Sequence, residues 1–596
     1  MDISVNNDLS MAMEKYRAAL IGAAIGDALG WPQEGRGGRV GRRNTFSPDL
    51  AFHPWQRRSG GRFFSHDERI GAGEYSDDTQ LLLATARSVL KGSSWLMHFT
   101  QNELPSWLIY ERGGGGATKR AAEAWASGAS PWTDDGEGRR TAYFQAGGNG
   151  VAMRVMPHVL ALGSASDFRQ IKESIFLNGI TTHGHPRALV GAILYGFVCW
   201  NALRHPGTLP YGHLLEIAFK QFEVWGSMPK CDIPGGWMRN SSEQNEYESI
   251  WGRTVQEMKG LIAIGFQGIQ AGALAIDQNI LKQLGAVDSK VIGSGTVTAA
   301  SAVYLASRYA PDPRHGVVEA AFTKGADTDT LASMTGGLLG LIAGTDWLQD
   351  VARLVQDYEC LRKAADQLQN SPWVFPDYTE LPRKRTTDIK QFWIALHSAT
   401  IGSTVTIPDG REGVVDKVDA VETKSSTIRG TLWNIRTSDG QTLHAKKLER
   451  ASRMRQADIT FPVLDPELQR PFESRVQAVK IRVTDLERAH HFYGQVLGLR
   501  VVRQSKNAVN FGGSLTFVKS DYLGGELRDT LVPSIVCIEA YSLNQARKRL
   551  IEEGCNSLTD VESKGGLPFF SCKDFDGNIV EIFERRPLPE HEKFGV

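Results

Sequence analysis

The sequence lacks a net charge. Its 67 Lys and Arg side chains are balanced by 67 Asp and Glu side chains over 596 residues. A neutral chain gives no overall electrostatic reason to bind nucleic acid, an anionic membrane or an acidic polymer. Cysteine is scarce as well, and the six cysteines include no Cys-x-x-Cys pair. This spacing argues against a disulfide framework or a Cys-rich zinc site, and it favours a reducing cytoplasm.

Long apolar runs are also missing. The first 20 residues contain no basic segment followed by an apolar one, so we expect no secretory signal. The longest apolar runs, 188–200 and 331–343, are too short to cross a bilayer. The hydrophobic content of 41% and charged content of 22% are typical of a globular protein. We therefore expect a soluble, cytoplasmic protein without a membrane partner.

The chain is too long for one core, and its pattern predicts a multidomain fold. Residues 1–392 carry apolar residues at helical spacing between Gly-rich loops, which predicts an all-α domain. Residues 393–452 contain short β-branched runs with Pro-Asp-Gly and Asp-Gly turns, which predicts a small SH3-like β-barrel. A polar linker, 453–472, leads to residues 473–596, where a β-α-β-β-β pattern occurs twice and predicts a duplicated α+β domain.

Two acidic clusters carry the strongest chemical signal in the chain. SDDT at 76–79 and DTDT at 327–330 each stand immediately before an apolar helix. Any one of these carboxylates is equally well explained as a helix cap. Four carboxylates in two similar clusters are harder to explain in this way, and together they form an all-oxygen site suited to Mg²⁺ or Mn²⁺ rather than zinc. Two such cations can orient vicinal hydroxyls and activate a water.

Two Gly-rich loops are candidate diphosphate-binding segments that would act together with the acidic clusters. RGGGG at 112–116 and GGNG at 147–150 expose backbone N–H groups where a diphosphate can lie without meeting a Cβ. Either loop taken alone is more often a simple turn.

The order of these motifs resembles the ADP-ribosylglycohydrolase superfamily, which includes dinitrogenase-reductase-activating glycohydrolases and ADP-ribosyl-acceptor hydrolases. Six motifs match in family order: GAAIGDALGWPQE (22–34), SDDTQL (76–81), RGGGGATKRA (112–121), GNGVAMRVMP (148–157), THGHP (182–186) and GADTDTLASMTGGLLG (325–340). The resemblance implies a hydrolase that cleaves the C1″ bond of an ADP-ribosylated protein, nucleic acid or metabolite and releases ADP-ribose. It also implies two Mg²⁺ ions as cofactors, with Mn²⁺ as a possible substitute.

Carried over residue by residue, the resemblance implies roles for specific side chains. The implied metal set is Ser76, Asp77, Asp78, Asp327, Asp329 and Thr330. Ser76 stands where the family commonly has Thr and keeps the oxygen, and Asp329 is expected to bridge the ions. Asp77, Asp78 and Asp329 are expected to act in catalysis with Glu34, a candidate acid/base or gate. The implied substrate contacts are Gly113, Gly114, Gly115, Gly116, Phe144, Gly148, Asn149, Gly150 and His183.

The roles of two residues and one segment stay open on the sequence. Asp27 is expected to be structural, bonded to nearby backbone. His183 read on its own is more typical of a satisfied core histidine than of a substrate contact. Residues 225–253 resemble an insertion with three tryptophans, which indicates either a lid or acceptor surface or an ordinary loop packed on its aromatics.

The last 124 residues resemble the vicinal-oxygen-chelate (glyoxalase/bleomycin-resistance) superfamily, on VTDLERAHHFYGQVLGLRVV (483–502) and DFDGNIVEIFE (574–584). Its metal-dependent members place a His on the first strand and a Glu at the end. Glu581 matches the final Glu, but Ala478, or Gln477 in a shifted register, and Ile535 occupy the first-strand positions of the two halves. The histidines at 490–491 belong to the helix. We therefore expect a metal-free binding or dimerisation module.

Two other functions remain possible on the sequence. One is an ADP-ribose sensor or scaffold without turnover, although a sensor needs no complete metal set. The other is a small-molecule-binding or resistance protein centred on the C-terminal domain, although its ligand set is incomplete. The small β domain can contact protein or nucleic acid, but its basic residues Lys446, Lys447 and Arg450 are more typical of a solvated edge.

Overall fold

The computed structural model describes most of the chain. The described ranges are 2–34, 46–60, 64–133, 138–207, 209–231, 236–242, 246–272, 276–371, 388–423, 428–450, 479–497, 499, 501, 503–505, 508–510, 515–519, 535–540, 543–555, 557–564, 567–574 and 579–584. The chain forms two compact units, Met1–Met454 and Arg455–Val596. The predicted linker, 453–472, lies outside the described residues.

Helices dominate the first unit, as predicted. They are α1 (Asp2–Gly30), α2 (Asp77–Val89), α3 (Trp95–His98), α4 (Leu104–Tyr110), α5 (Gly116–Ala126), α6 (Arg139–Phe144), α7 (Met156–Ala161), α8 (Arg169–Ile180), α9 (Pro186–Arg204), α10 (His213–Lys220), α11 (Phe222–Gly226), α12 (Trp237–Ser242), α13 (Tyr247–Gln270), α14 (Asp277–Leu284), α15 (Gly295–Arg308), α16 (Pro313–Phe322), α17 (Thr328–Ala343), α18 (Tyr358–Gln369) and α19 (Asp388–Ser398). Among the described residues, α9 alone is long and apolar enough to cross a membrane, and 78% of its most apolar window is buried.

The close packing of α1 against α17 determines where the functional residues meet. A Cβ on Gly26 would lie 2.0 Å from the carbonyl oxygen of Ala332, and one on Gly30 would lie 2.1 Å from that of Thr328. Only glycine permits backbones to approach this closely. The C-terminal end of α1 is therefore held against the N-terminal end of α17, where the second acidic cluster begins.

Strands complete the first unit. β1 (Trp55–Ser59) and β2 (His66–Ile70) form an antiparallel hairpin inside the region predicted to be all-α, so that prediction was too simple. Charged residues on both faces of WQRRS and HDERI conceal the alternation of apolar and polar residues that is typical of a strand. In the structure, His66, Glu68 and Ile70 all point inward. β5 (Glu422–Thr423) extends this hairpin by pairing with β2.

The small β module is a four-stranded antiparallel sheet in the order β3-β4-β6-β7. Its strands are β3 (Thr404–Thr406), β4 (Glu412–Ala420), β6 (Ile428–Thr437) and β7 (Thr442–Arg450). The sheet belongs to the same compact unit as the helices, and the predicted boundary at 392/393 falls within α19. Its closure into an SH3-like barrel and its independence as a domain stay predictions.

The second unit contains two four-stranded sheets of the same topology, β8-β11-β10-β9 and β12-β15-β14-β13. The elements are β8 (Val479–Val483), α20 (Leu486–Ala489), β9 (Arg503–Ser505), β10 (Ala508–Asn510), β11 (Leu515–Lys519), β12 (Ile535–Ala540), α21 (Leu543–Glu552), β13 (Glu562–Lys564), β14 (Leu567–Lys573) and β15 (Ile579–Glu584). In each sheet the first strand pairs in parallel with the last. Ala478 and Gln477 lie outside the described residues, and Glu581 is half-buried on β15.

Candidate metal and substrate site

The first acidic cluster is fixed by a carboxylate from α1. Asp27 accepts hydrogen bonds from the backbone N–H of Ser76 (3.0 Å) and of Thr79 (2.9 Å) and from the Thr79 hydroxyl (2.7 Å). Ser76 caps α2 by accepting from the Asp78 N–H at 3.4 Å. The first turn of a helix has N–H groups without helical partners, so these acceptors stabilise it. Asp27 is structural, as expected, although the backbone it binds lies 49–52 residues away.

The second acidic cluster meets the first at the start of α17. The Thr328 hydroxyl donates to the carbonyl of Gly30 at 2.8 Å and anchors this turn to α1. The Thr330 hydroxyl donates to Oδ2 of Asp78 at 3.2 Å, across 252 residues of sequence. The two clusters singled out in the sequence therefore form one buried group of side-chain oxygens.

A fifth carboxylate joins this group from the end of α1. Glu34 follows the short 3₁₀ turn Trp31–Gln33, and one oxygen from each of Glu34, Asp327 and Asp329 lies within 4.8 Å of the others. The side chain of Asn149 donates to Oδ2 of Asp327 at 2.9 Å, which orients that carboxylate. Three carboxylates at such separations can share a hard divalent cation.

The electrostatics of the cluster fit a bound cation. Burial raises the pKa of Asp78, and the negative charges of Asp27, Asp77 and Asp327 raise that pKa further. Oδ1 of Asp78 is buried and has no hydrogen-bond partner among the described residues. An unpaired buried carboxylate oxygen is costly unless a cation or proton satisfies it. The donor set consists of hard oxygens, which is the ligand type that Mg²⁺ and Mn²⁺ prefer.

The first glycine loop passes beside this cluster. Gly113 has φ of +100°, and a Cβ there would lie 3.0 Å from Oδ1 of Asp77 and 3.5 Å from Nε1 of Trp31. Glu111 accepts from the N–H of Gly114 at 3.1 Å, and Gly115 is the residue before α5, which begins at Gly116. The predicted diphosphate-binding segment thus leads from the acidic cluster into a helix N-terminus.

The second glycine loop lies on another side of the cluster. Gly148 forms an isolated β-bridge with Ser294, and the N–H of Asn149 donates to the carbonyl of Gly293 at 2.8 Å. A Cβ on Gly150 would lie 3.1 Å from the ring of His183. The loop therefore contacts Asp327 through Asn149 and lies against His183 at Gly148 and Gly150.

His183 is a buried, neutral histidine. Its Nδ1 shares a hydrogen bond of 2.7 Å with the Thr182 hydroxyl. Burial lowers its pKa to about 3, and the positive charges of Arg154 and Arg120 act in the same direction. Near neutral pH the ring is uncharged, so it can orient a hydroxyl or a water but cannot act as a cationic acid.

Arg154 supports the second glycine loop and was not among the site residues predicted from the sequence. Its side chain is fully buried and donates to the Gly150 carbonyl (2.8 Å), to the Asn178 side chain (2.8 Å) and to the Thr182 hydroxyl (2.8 Å). Burial lowers its pKa to about 9, and the charge of Asp77 opposes this shift. The arginine within the apolar run VAMRVMP was the available signal, because a lone cation in such a run must be buried with partners.

Phe144 lies in an aromatic cluster with three other rings, Tyr143, Trp237 and Tyr247. It is 7% exposed, and its contact with substrate stays a prediction.

The three tryptophans of 225–253 are all buried, and their N–H groups donate to the Ala218 carbonyl, the Tyr143 hydroxyl and the Gly226 carbonyl. In its described part this segment packs on its aromatics, and a lid or acceptor role stays a prediction.

Two comparisons with known proteins give a match over more than half of the chain. The family model described as ADP-ribosylglycohydrolase matches residues 9–374. A solved structure described as an ADP-ribosylglycohydrolase-related protein complex is 20% identical, with a TM-score of 0.40, and the match covers 61% of this chain and 99% of that one. A search of curated proteins found no match.

Smaller solved structures match about a fifth of the chain. A lactoylglutathione lyase from Agrobacterium tumefaciens is 18% identical, with a TM-score of 0.16, over 19% of this chain and 93% of its own. A glyoxalase/dioxygenase from Nostoc punctiforme is 16% identical, with a TM-score of 0.16, over 22% of this chain and 100% of its own.

Proposed function

The chain belongs to the ADP-ribosylglycohydrolase family, and on this premise we propose that it is a metal-dependent hydrolase. Its reaction is cleavage of the C1″ glycosidic bond of an ADP-ribosylated acceptor, with release of ADP-ribose. One observation carries the proposal: the hydrogen bond between Thr330 and Asp78 joins two acidic clusters that the sequence separates by 252 residues. Burying several carboxylates together is costly, and a purely structural core does not require such a group.

Two Mg²⁺ ions, or Mn²⁺ in their place, are the proposed cofactors. The residues that would hold them are Ser76, Asp77, Asp78, Asp327, Asp329 and Thr330. Oδ1 of Asp78, which has no hydrogen-bond partner in the described part of the chain, supports this assignment, as does the hydrogen bond by which Asn149 orients Asp327. Bound there, such cations supply Lewis acidity and orientation for the ribose hydroxyls and a water.

The chain's own residues have separate tasks in the proposed reaction. Glu34, next to Asp327 and Asp329, would take a proton from the attacking water or give one to the leaving group. The carboxylates also stabilise the positive charge that develops on an oxocarbenium-like ribose as the C1″ bond breaks. The loop 113–116 binds the diphosphate through N–H groups other than that of Gly114, which donates to Glu111. Residues 148–150 and neutral His183 orient the distal ribose.

The acceptor is proposed as a class: an ADP-ribosylated protein, nucleic acid or metabolite. We place the enzyme in the cytoplasm, without a membrane partner.

The small β sheet is a possible contact for protein or nucleic acid. The second unit is proposed as a metal-free binding or homodimerisation module, because in its second half Glu581 on β15 pairs in the sheet with Cys537 of β12 rather than with a histidine.

The test is release of free ADP-ribose from a panel of arginine-, serine- and nucleic-acid-linked substrates and O-acetyl-ADP-ribose. The full chain is assayed with Mg²⁺ and with EDTA. Magnesium-dependent release supports the proposal and identifies the acceptor class. Binding of ADP-ribose without release from any substrate would instead favour the sensor.

A further inference from the structure

The small β sheet lies outside the residues matched by the family, yet it reaches the first glycine loop. On β7, Nζ of Lys446 donates to Oε2 of Glu68 at 3.0 Å. Oε1 of Glu68 accepts from Nε of Arg112 at 2.9 Å, and Nη1 of Arg112 donates to Glu74 at 2.6 Å. Arg112 immediately precedes Gly113, so a chain of charged contacts connects β7 to the loop.

This chain of contacts is buried, so its members depend on one another. The side chains of Arg112 and Glu68 are 2% and 3% exposed, and that of Lys446 is 18% exposed. Burial opposes ionisation of Glu68, but the charges of Arg112, Lys446 and Arg57 hold its pKa far below the ordinary value. The sequence indicated that Lys446 lies on a solvated edge, and for this residue that prediction was wrong. Removing one partner from a buried ion pair leaves the other without compensation.

Arg112 also contacts Trp31, which packs against the first glycine loop. Its guanidinium lies over the indole of Trp31, 5.5 Å from the ring centroid, and Arg57 lies over the same ring at 5.4 Å. Nε1 of Trp31 is buried, has no hydrogen-bond partner among the described residues and faces Gly113. Trp31 opens the turn that leads to Glu34. The position of Arg112 therefore sets the spacing between the glycine loop and the start of that turn.

We propose that Lys446 is a positioning residue for the glycine loop. Through Glu68 it holds Arg112, and through Arg112 it keeps Gly113–Gly116 in the conformation that binds a diphosphate. This inference rests on the proposed function, because it takes the loop as the diphosphate-binding segment. It makes the small β sheet a part of the substrate-binding structure.

The experiment measures the Kd of ADP-ribose by calorimetry on the full chain in Mg²⁺. Lys446→Met keeps the length of the side chain and removes its charge, whereas Lys446→Arg restores the charge. The matched control is Lys447→Met, on the next residue of β7, whose ammonium pairs with half-exposed Glu449. We expect Lys446→Met to weaken binding about tenfold. Lys446→Arg is expected to recover most of the affinity, and Lys447→Met to bind like the wild type.

The outcomes separate this inference from the proposed function. If Lys446→Met lowers the melting temperature but binds ADP-ribose like the wild type, Lys446 is merely structural and the inference is wrong. Mn²⁺ affinity is measured in the same samples and is expected to fall less than ADP-ribose affinity, because Lys446 reaches the carboxylate group only through Arg112 and the loop. If Lys446→Met fails to fold, Glu68→Gln is tested with the same expectation. A wild-type protein that binds no ADP-ribose contradicts the proposed function itself.

Discussion

At the scale of single residues, Asp27 shows how one buried carboxylate organises a site without belonging to its reactive part. It accepts three hydrogen bonds from the first turn of α2, two of them from backbone N–H groups. Burial raises the pKa of Asp27, and these hydrogen bonds oppose that shift by favouring the charged form. The direction in which Asp77 and Asp78 point therefore depends on a residue of α1.

Replacing Asp27 with Asn tests this role. The amide keeps the shape but offers one acceptor oxygen in place of two, so at least one buried N–H loses its partner. We expect the free energy of unfolding to fall by about 1–3 kcal/mol, measured by urea denaturation. The matched control is Asp312→Asn, at the exposed start of α16, where Asp312 accepts from the His315 N–H. If the two variants lose the same stability, Asp27 has no special anchoring role.

At the scale of elements, the site depends on how closely α1 approaches α17. Gly26 has no room for a Cβ, because the carbonyl oxygen of Ala332 would lie 2.0 Å away. The Cβ is fixed to the backbone of α1 and the carbonyl oxygen belongs to the backbone of α17, so neither can yield without moving a helix. The carboxylates of Glu34 and Asp329 are attached to the ends of these two helices, and their separation is set by this contact.

Gly26→Ala is therefore expected to damage both stability and metal binding. Overpacking of this kind costs about 1–3 kcal/mol, and the displaced helices separate the ligands, so Mn²⁺ affinity should fall as well. Gly260→Ala is the control, because Gly260 lies in the interior of α13 and a Cβ there meets nothing within 4 Å. It should stabilise the protein by about 0.5–1 kcal/mol. Calorimetry measures both the stability and the Mn²⁺ affinity. Unchanged Mn²⁺ affinity in Gly26→Ala would show that the approach of α1 to α17 does not set the separation of the carboxylates.

The elements also show what the sequence reveals and what it conceals. The meeting of SDDT with DTDT was predictable, because their carboxylates are visible as two similar clusters before apolar helices. The contacts of Arg112 were not, because its partner Glu68 lies on a hairpin whose charged residues hide the strand alternation. Lys446 is a further 378 residues from Glu68, and a lysine on an edge strand ordinarily faces solvent.

At the scale of the whole molecule, three buried histidines make stability depend on pH. Burial lowers the pKa of His158, His183 and His444 to about 3, and nearby arginines, Arg154 for the first two and Arg112 for His444, lower it further. In the unfolded chain a histidine takes up a proton near pH 6.5. The unfolded state thus binds more protons below pH 6.5, and the stability present above this pH is lost as the pH falls towards 3.

The pH dependence can be assigned to a single residue by substitution. His444→Gln removes one of the three groups, so the loss of unfolding free energy between pH 7 and pH 5 should be smaller than in the wild type by about 1–2 kcal/mol. His53→Gln, at an exposed site, serves as the control and should lose as much as the wild type. Urea denaturation at the two pH values gives the result. Equal losses in His444→Gln and the wild type would show that His444 takes up a proton in the folded state.

The most direct test of the account is Mg²⁺-dependent release of ADP-ribose by the wild type and by Asp329→Asn, measured side by side on the best substrate of the panel. Asp329 lies within the carboxylate trio of the site, and its Oδ1 accepts from the N–H of Thr330. Exposed Asp350→Asn is the matched control. We expect a loss of about a hundredfold or more in Asp329→Asn and none in Asp350→Asn. Release that is insensitive both to EDTA and to Asp329→Asn would contradict a metal-dependent hydrolase at this site.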